Sequence, residues 1–111
     1  MIKIISENNV NNGEIISKKQ LEILLLEKNA EIYEVIRVIQ GKTIFLKEHY
    51  DRMNESIRLS GMKAILDFEV YSKSTELLIK ENNFQNCNIR VSCFFENIPI
   101  VLFYFIESHY P

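Results

Sequence analysis

The sequence predicts an α+β fold in which an antiparallel sheet of hairpins carries two helices on one side. Short runs of β-branched and aromatic residues occur in pairs, and tight-turn residues separate the two members of a pair. Two longer segments place apolar residues at helical spacing instead. Apolar residues make up 47% of the 111 residues, enough for one core, so we expect residues 1–111 to form a single domain.

The chain begins with a predicted hairpin. We expect Ile2–Ile5 to form a strand and Glu14–Ser17 to return beside it, because Asn11–Gly13 has the composition of a hairpin turn. Residues 18–30 fit two structures, since their leucines recur at helical spacing but the triple leucine Leu24–Leu26 also suits a buried extended chain. Periodicity does not separate helix from strand over so short a run.

The central block of the sequence gives the clearest prediction. Glu31–Ile39 is rich in β-branched residues, Gln40-Gly41 is a tight turn, and Lys42–Leu46 returns as a strand. We then expect a helix over Lys47–Ser60, which stops at Gly61 because glycine tolerates the left-handed backbone that follows many helices. The predicted apolar face of this helix consists of Tyr50, Met53 and Ile57.

The last third of the chain predicts a second helix and a closing hairpin. Asp67 is a good N-cap for a helix that runs to about Asn82. Two strands, Asn88–Phe95 and Ile100–Ile106, then pair around a turn at Glu96-Asn97. The final residues, His109–Pro111, have the composition of a connector. The predicted buried face of the second helix consists of Val70, Tyr71, Ser74, Leu77 and Leu78.

Charge and hydropathy exclude several classes of protein. The 13 basic and 15 acidic residues are spread along the chain and form no basic stripe, so nucleic acid is not an expected partner. The N-terminal residues lack the apolar core of a secretory signal. The longest apolar run, Ile98–Ile106, is too short for a membrane-spanning helix and is typical of a strand buried on both faces. We expect a cytoplasmic protein.

Cysteine, glycine and histidine are placed in ways that exclude common sites. Cys87 and Cys93 on one strand lie ~20 Å apart, too far for a disulfide, so we expect free thiols. The three glycines form no phosphate-binding loop. His49 and His109 have no neighbouring cysteine or histidine, so no metal site is expected.

The first of the two long helices carries the strongest candidate for a polar site. His49, Arg52 and Ser56 share one edge of it. The planar guanidinium of an arginine makes two parallel hydrogen bonds to a phosphate or a carboxylate. The alternative is that Arg52 only pairs with Glu48 and Glu55 on a solvated surface, where ion pairs contribute little.

Two further arginines, Arg37 and Arg90, lie within predicted strands among apolar neighbours. An unpaired buried charge is costly, so each must face solvent, a partner or an anion. Antiparallel sheets commonly keep one face in water, which is the simpler explanation for both arginines.

Several of these motifs occur together in a known family. The strand–turn–strand–helix order and the spacing of His49 and Arg52 resemble the small N-terminal domain of class IV aminotransferases, the fold-type IV pyridoxal-phosphate enzymes. These include branched-chain and D-amino-acid aminotransferases and aminodeoxychorismate lyase. The resemblance is carried by Ile32–Val38, Gly41-Lys42, Phe45-Leu46, Glu48-His49, Asp51-Arg52-Met53, Ser56, Gly61, Asn88–Val91 and Phe103–Ile106.

The resemblance implies a function for three residues. Arg52 takes the place of the arginine that contacts the cofactor phosphate in the family. Tyr33 takes the place of an aromatic residue on the substrate side, and Arg90 lies near a position where some branched-chain members keep an arginine that faces the substrate carboxylate. The resemblance implies that the complete enzyme is a homodimer, which uses pyridoxal 5′-phosphate to transfer an amino group between an amino acid and a 2-oxo acid.

The sequence also departs from the family. Lys28–Glu31 lacks the glycine turn and the aromatic residue that usually precede the Tyr33 position, and Phe94 and Phe95 stand where some D-amino-acid enzymes have basic residues. The Schiff-base lysine of the family belongs to a larger second domain, which we expect to be absent from this chain. Such a chain has no catalytic residue and is inactive alone. The alternative is a non-catalytic binding or dimerisation module derived from this domain.

Overall fold

Six strands and three helices make up the described part of the chain. The structure is a computed structural model and describes residues 2–27, 31–63, 65–94 and 99–107. The strands are β1 (Asn8–Asn11), β2 (Glu14–Ser17), β3 (Ile32–Ile39), β4 (Lys42–Thr43), β5 (Cys87–Phe94) and β6 (Ile100–Ile106). The helices are α1 (Lys18–Glu27), α2 (Leu46–Leu59) and α3 (Phe68–Asn82). Within these ranges, no helix is apolar over a length sufficient to cross a bilayer.

All six strands belong to one sheet in the order β2-β1-β6-β5-β3-β4, and each neighbouring pair is antiparallel. The long strands β5 and β6 lie in the middle, and the residues from Val101 to Phe105 are all buried. A strand in this position is covered on both faces, as its uninterrupted apolar sequence predicts. The predicted antiparallel α+β fold is confirmed.

The helices divide between the two faces of the sheet. Both α2 and α3 pack on one face, and the two helices predicted on one side are therefore confirmed. The third helix, α1, covers part of the opposite face, where Leu21 packs with Phe94, Leu102 and Tyr104. The larger core cluster, between the sheet and α2 and α3, includes Ile36, Val38, Met53, Ile57, Tyr71, Leu78, Ile89, Val91, Cys93, Phe103 and Phe105.

The first hairpin turn lies where the sequence predicts it, between β1 and β2. Asn12 and Gly13 have positive φ values of 50° and 87°. Two consecutive left-handed residues match the twist of the flanking strands, which is why Asn-Gly is favoured there.

The first strand of this hairpin is not where it was predicted. Of the segment Ile2–Ile5, only Ile4 forms a bridge, to Ile106, and the strand proper begins at residue 8. Ser6 interrupts the pairing, because its hydroxyl accepts the backbone N–H of Phe105 at 2.9 Å. A side chain thus replaces a hydrogen bond that a continuous strand would supply.

The ambiguous segment 18–30 contains α1. The N–H of Gln20 donates to the hydroxyl of Ser17 at 3.1 Å, and the N–H of Ser17 donates to the side-chain oxygen of Gln20 at 2.8 Å. This reciprocal capping box satisfies two backbone donors at the start of the helix. The helix runs to Glu27 and buries Leu21, while residues 28–30 lie outside the described residues.

The second hairpin is shorter than predicted because α2 begins early. The returning strand β4 contains only Lys42 and Thr43, so the prediction of a strand as far as Leu46 is wrong. Phe45 has a left-handed backbone with φ 57°, which ends the extended structure directly before the helix. The predicted buried face of α2, formed by Tyr50, Met53 and Ile57, is confirmed.

The third helix begins at its predicted cap but buries a slightly different face. The side chain of Asp67 accepts the N–H of Val70 at 3.1 Å. Val70 itself is 49% exposed, so its predicted burial is wrong, and Thr75 is buried instead. The buried positions are spaced i, i+3, i+4 and i+7, which leaves Val70 at the edge of the stripe. They are Tyr71, Ser74, Thr75 and Leu78.

The closing hairpin agrees closely with its prediction. The strand β5 spans Cys87–Phe94, one residue earlier than predicted, and β6 spans Ile100–Ile106 as predicted. The predicted turn at Glu96-Asn97 and the connector His109–Pro111 lie outside the described residues.

Replacing Asp67 with alanine tests the cap of α3. The substitution removes the acceptor of the Val70 N–H, and the free energy of unfolding should fall by about 1 kcal/mol. Chemical denaturation measures the difference. Asp51→Ala is the control, because it removes a carboxylate that is 58% exposed and pairs with Lys47 one turn away; stability should be nearly unchanged. Equal losses in both variants would contradict the capping role.

The free thiols of Cys87 and Cys93 should react at different rates, because Cys93 is buried and Cys87 is only half-buried. Burial raises the pKa of Cys93 to about 11. It also raises the pKa of the half-buried Cys87, although the positive charge of Arg37 opposes the rise. Because the thiolate is the reactive form, a thiol reagent at about pH 8 should modify Cys87 slowly and Cys93 only after unfolding. Mass spectrometry of native and denatured samples locates the label, and early modification of Cys93 would refute this order.

Candidate functional site

Arg52 of α2 is paired with Glu34 of β3. The Nε of Arg52 donates to both carboxylate oxygens of Glu34 at 3.0 Å, and its Nη2 donates to Oε1 at 2.7 Å. Glu34 alternates along β3 with Ile36 and Val38, which are buried in the larger core cluster, so it faces α2. The Glu34 side chain is only 7% exposed, whereas that of Arg52 is 66% exposed.

This pair differs from the solvated surface pairing that the helix sequence allowed. The carboxylate partner of Arg52 is Glu34, across the strand–helix interface, and not Glu48 or Glu55. Glu55 instead pairs with Arg58 at 2.5 Å on the exposed side of α2. The alternative of purely local ion pairs is therefore wrong for Arg52.

His49 shares the same carboxylate. Its Nδ1 lies 2.7 Å from Oε1 of Glu34, and its side chain is 17% exposed. Because a carboxylate oxygen is an acceptor, Nδ1 is assigned the hydrogen and donates it. Nη2 of Arg52 lies 3.3 Å from the same ring nitrogen. Two donors do not bond to each other, so Glu34 is the common acceptor that holds both side chains.

The Glu34 carboxylate stays ionised in this environment. Burial would raise its pKa, but hydrogen bonds from Arg52 and His49, together with the charge of Arg52, hold the pKa below the ordinary value of 4.5. The same pairing raises the pKa of Arg52, first through the hydrogen bond and then through the charge of Glu34. The cluster is thus a buried anion compensated by a more exposed cation.

Glu34 occupies only one side of the Arg52 guanidinium. The hydrogen bonds of Arg52 to described residues all come from Nε and Nη2. Nη1 and the second hydrogen of Nη2 form the other donor pair of the planar fork. That pair belongs to a side chain that is 66% exposed, so a second anion can bind Arg52 without displacing Glu34.

Arg90 and Tyr33 meet on the opposite face of the sheet. In the pairing of β3 with β5, Val35 lies opposite Arg90 and Tyr33 lies opposite Ser92. The guanidinium carbon of Arg90 is 3.7 Å from the centre of the Tyr33 ring, a cation–π contact. Arg90 is 7% exposed and Tyr33 is 51% exposed. The predicted solvated face is therefore wrong for Arg90.

Arg90 has an anionic partner within the chain. Its Nη2 donates to Oε1 of Glu31, the residue before β3. The hydroxyls of Ser92 and Tyr104, 2.7 Å apart, are buried on the same face. Burial raises the pKa of Tyr104, although the hydrogen bond to Ser92 and the charge of Arg90 oppose the rise. Arg90 therefore lies in a largely buried polar group and not on a wet surface.

The three predicted site residues fall into two groups. Tyr33 and Arg90 are in contact, whereas Arg52 lies with Glu34 on the other face of the sheet. Ser56, expected beside Arg52, is half-buried on α2, where its backbone carbonyl accepts the N–H of residue 60 at 3.1 Å. Tyr33, which contacts Arg90, and Glu34, which contacts Arg52, are adjacent residues of β3.

The two acidic partners were not predicted. The partner of Glu34 could have been anticipated in kind: Glu34 alternates with Ile36 and Val38, so it falls on a buried face, where a carboxylate needs a cation. Glu31 carried none, because Arg90 is 59 residues away. Arg37 is exposed, as the solvated-face explanation predicts.

Replacing Glu34 with glutamine tests the charge balance of the cluster. Because the folded pKa of Glu34 is lowered, its contribution to stability is complete above the ordinary pKa and is lost as the pH falls through the folded value. The stability difference between the unaltered protein and Glu34→Gln should therefore be largest near pH 7 and shrink below about pH 5. Denaturation at several pH values measures it.

Glu55→Gln is the matched control for this experiment. Its carboxylate is 54% exposed and also pairs with an arginine, Arg58. Solvent screens such a pair, so its loss should change stability far less at every pH. A difference for Glu34→Gln that does not vary with pH would refute the charged pair.

Comparisons with known proteins identify relatives by sequence. A sequence profile of the class IV amino-transferases matches residues 31–98. A probable branched-chain-amino-acid aminotransferase of Rickettsia bellii is 32% identical over 106 residues, which cover 86% of this chain and 37% of the relative. A protein of the same description from Rickettsia felis is 34% identical over 65 residues, covering 59% of this chain and 22% of the relative. This chain thus spans less than two fifths of the length of either curated relative.

Solved structures share the fold. The T.th. branched-chain amino acid aminotransferase, complexed with N-(5′-phosphopyridoxyl)-L-glutamate, has a TM-score of 0.80 at 18% identity, over 96% of this chain and 42% of that one. The Escherichia coli branched-chain enzyme has a TM-score of 0.78 at 15% identity, over 94% of this chain and 42% of that one. At these identities the likeness concerns the fold. The profile match and the R. bellii relative go further: this chain belongs to the class IV aminotransferase family.

Proposed function

We propose that this chain is the smaller, N-terminal domain of a pyridoxal-phosphate-dependent aminotransferase. The complete protein transfers an amino group between an amino acid and a 2-oxo acid. Membership of the family supports this class of reaction, and both curated relatives are described as probable branched-chain-amino-acid aminotransferases. The observation that carries the proposal is the donor pair of Arg52 that Glu34 leaves free.

Arg52 fits the phosphate of the cofactor. Two parallel N–H donors on an exposed guanidinium match two phosphate oxygens, and such charge-assisted pairs are among the stronger hydrogen bonds. Glu34 holds the guanidinium in place before any ligand arrives. The entropy of ordering a long side chain is therefore not lost again on binding. The T.th. enzyme, which shares the fold, is complexed with a phosphopyridoxyl ligand.

Tyr33 and Arg90 fit the substrate side of the site. A guanidinium is suited to a carboxylate, which amino acids and 2-oxo acids share. The cation–π contact with Tyr33 fixes the plane of the Arg90 fork. Tyr33 is half exposed and lies between the buried arginine and solvent. These two residues orient a substrate and take no part in breaking bonds.

The cofactor, when bound, supplies the electron sink for chemistry at the substrate's α-carbon. The contribution of this chain is binding and orientation, through Arg52 for the phosphate and through Tyr33 and Arg90 for the substrate. The lysine that holds the cofactor covalently and the acidic partner of the ring nitrogen belong to a larger second domain of the complete protein.

We also propose that the complete protein is a cytoplasmic homodimer. Three large apolar side chains of this chain, Phe45, Leu59 and Ile65, are 67%, 71% and 81% exposed. Phe45 and Leu59 lie at the two ends of α2, and a domain or subunit that packs along this helix would remove them from water, which is favourable. The free thiols of Cys87 and Cys93 suit a reducing compartment.

Arg52→Ala tests the phosphate role in the full-length gene product. Its affinity for pyridoxal phosphate should fall about tenfold or more, because a charge-assisted pair of hydrogen bonds is lost. Its affinity for pyridoxal, which lacks the phosphate, should be unchanged. Absorbance titrations with the two compounds measure both affinities.

Arg58→Ala is the matched control, because Arg58 lies on the same helix, is 68% exposed and also pairs with a glutamate. It should bind both compounds as the unaltered protein does. Arg52→Lys keeps a positive charge beside Glu34 but lacks the planar fork, so its loss of affinity should be intermediate. Unchanged affinity for pyridoxal phosphate in Arg52→Ala would falsify the phosphate role.

A further inference from the structure

The environment of Arg90 contains a feature that its assignment to the substrate side does not explain. Its guanidinium already contacts a carboxylate of the same chain, that of Glu31. Glu31 lies within the segment where the sequence departs from the family pattern. An arginine suited to a substrate carboxylate is thus occupied by a glutamate from this departing segment.

Glu31 accepts a hydrogen bond from only one nitrogen of the Arg90 guanidinium. The contact involves Nη2 and Oε1, while Nε of Arg90 is buried with no hydrogen-bond partner among the described residues. A carboxylate accepts from Nε and Nη2 together when it approaches the guanidinium side-on. A buried donor without a partner is unfavourable, so the fork is better satisfied by a carboxylate that reaches both nitrogens.

The two partners differ in their freedom to separate. The Arg90 side chain is 9% exposed and that of Glu31 is 28% exposed. The ring of Tyr33 covers one face of the Arg90 guanidinium, and Arg90 is anchored on the central strand β5. Glu31 lies at the rim, before the first residue of β3, and its carboxylate can turn into water without moving the sheet. Glu31 is therefore the movable partner.

Two carboxylates do not share this fork. The buried hydroxyls of Ser92 and Tyr104 lie on the same face of the sheet, and the surroundings screen charge poorly. Like charges brought together in such a place repel each other strongly. Occupation by Glu31 and occupation by an external carboxylate are mutually exclusive.

We propose that Glu31 is an internal competitor for the carboxylate-binding fork of Arg90. An external monocarboxylate, such as an amino acid or a 2-oxo acid, must displace Glu31 before it binds Arg90 side-on. Glu31 thereby weakens carboxylate binding and determines which substrates are held there. The inference builds on the substrate side of the proposed function, but occupation of the fork is measurable without cofactor.

The experiment is a calorimetric titration of the full-length gene product, free of cofactor, with 4-methylpentanoate. Glu31→Gln removes the competing charge and keeps the side-chain size, so the affinity for this monocarboxylate should rise about tenfold or more. The gain should disappear when Arg90→Gln is added to Glu31→Gln. Glu22→Gln removes the same charge from the exposed side of α1 and should give no gain. A gain in Glu22→Gln equal to that in Glu31→Gln would overturn the inference.

Thermal unfolding separates competition from a purely structural ion pair. Glu31→Gln leaves Arg90 without its anion, so the melting temperature should fall. The same monocarboxylate should then raise the melting temperature of Glu31→Gln more than that of the unaltered protein. Destabilisation with neither rescue nor a gain in affinity would overturn the inference.

Glu31→Asp covers the case in which the glutamine variant does not fold. It keeps the negative charge near Arg90 but shortens its reach, so the carboxylate should bind with an intermediate gain. An affinity equal to that of the unaltered protein would overturn the inference. Failure of the full-length protein to bind pyridoxal phosphate, with the carboxylate gain intact, would refute the proposed function but not the role of Glu31.

Discussion

The antiparallel pairing of β3 with β5 positions both groups of polar residues. Successive residues of a strand point to opposite faces, so Tyr33 and Glu34 are necessarily separated by the sheet. Glu34 then meets α2 and Arg52, and Tyr33 meets Arg90 from the neighbouring strand. A slip of one residue in this register would exchange the faces and would break both ion pairs at once. The buried Ile36 and Val38 resist such a slip, because it would expose them.

Two buried charges of this sheet have partners of opposite sign, and in each pair the partner is the more exposed of the two. Glu34 is paired with the exposed Arg52, and Arg90 is paired with Glu31 at the rim. An uncompensated charge in either position would cost several kcal/mol. A more exposed partner satisfies the buried charge and itself stays in contact with solvent. Both pairs therefore compensate a buried charge of the sheet with a partner that is more exposed.

The sequence predicts correctly those turns and helices that a few neighbouring residues specify. The Asn12-Gly13 turn, the Asp67 cap and the apolar stripe of α2 are each specified within a few residues. The helix α1 was predictable too, since Ser17 and Gln20 have capping-box spacing, but a leucine-rich composition obscured it. The strand predicted at Ile2–Ile5 is wrong because Ser6 competes for a backbone donor on β6, which no local pattern reveals.

The sequence predicts where Arg52 lies on its helix, but it does not predict that Glu34 of β3 is its partner. Glu34 and Glu31 make the same kind of contact, but they meet arginines of opposite burial. The Arg52 side chain is 66% exposed and keeps a donor pair beyond Glu34, so in the proposed site the glutamate orients it for a ligand. The Arg90 side chain is 9% exposed, and the donor that Glu31 leaves unused is itself buried, so in our proposal a ligand reaches it only by replacing Glu31. Burial thus decides whether an acidic partner prepares an arginine for an anion or competes with the anion for it.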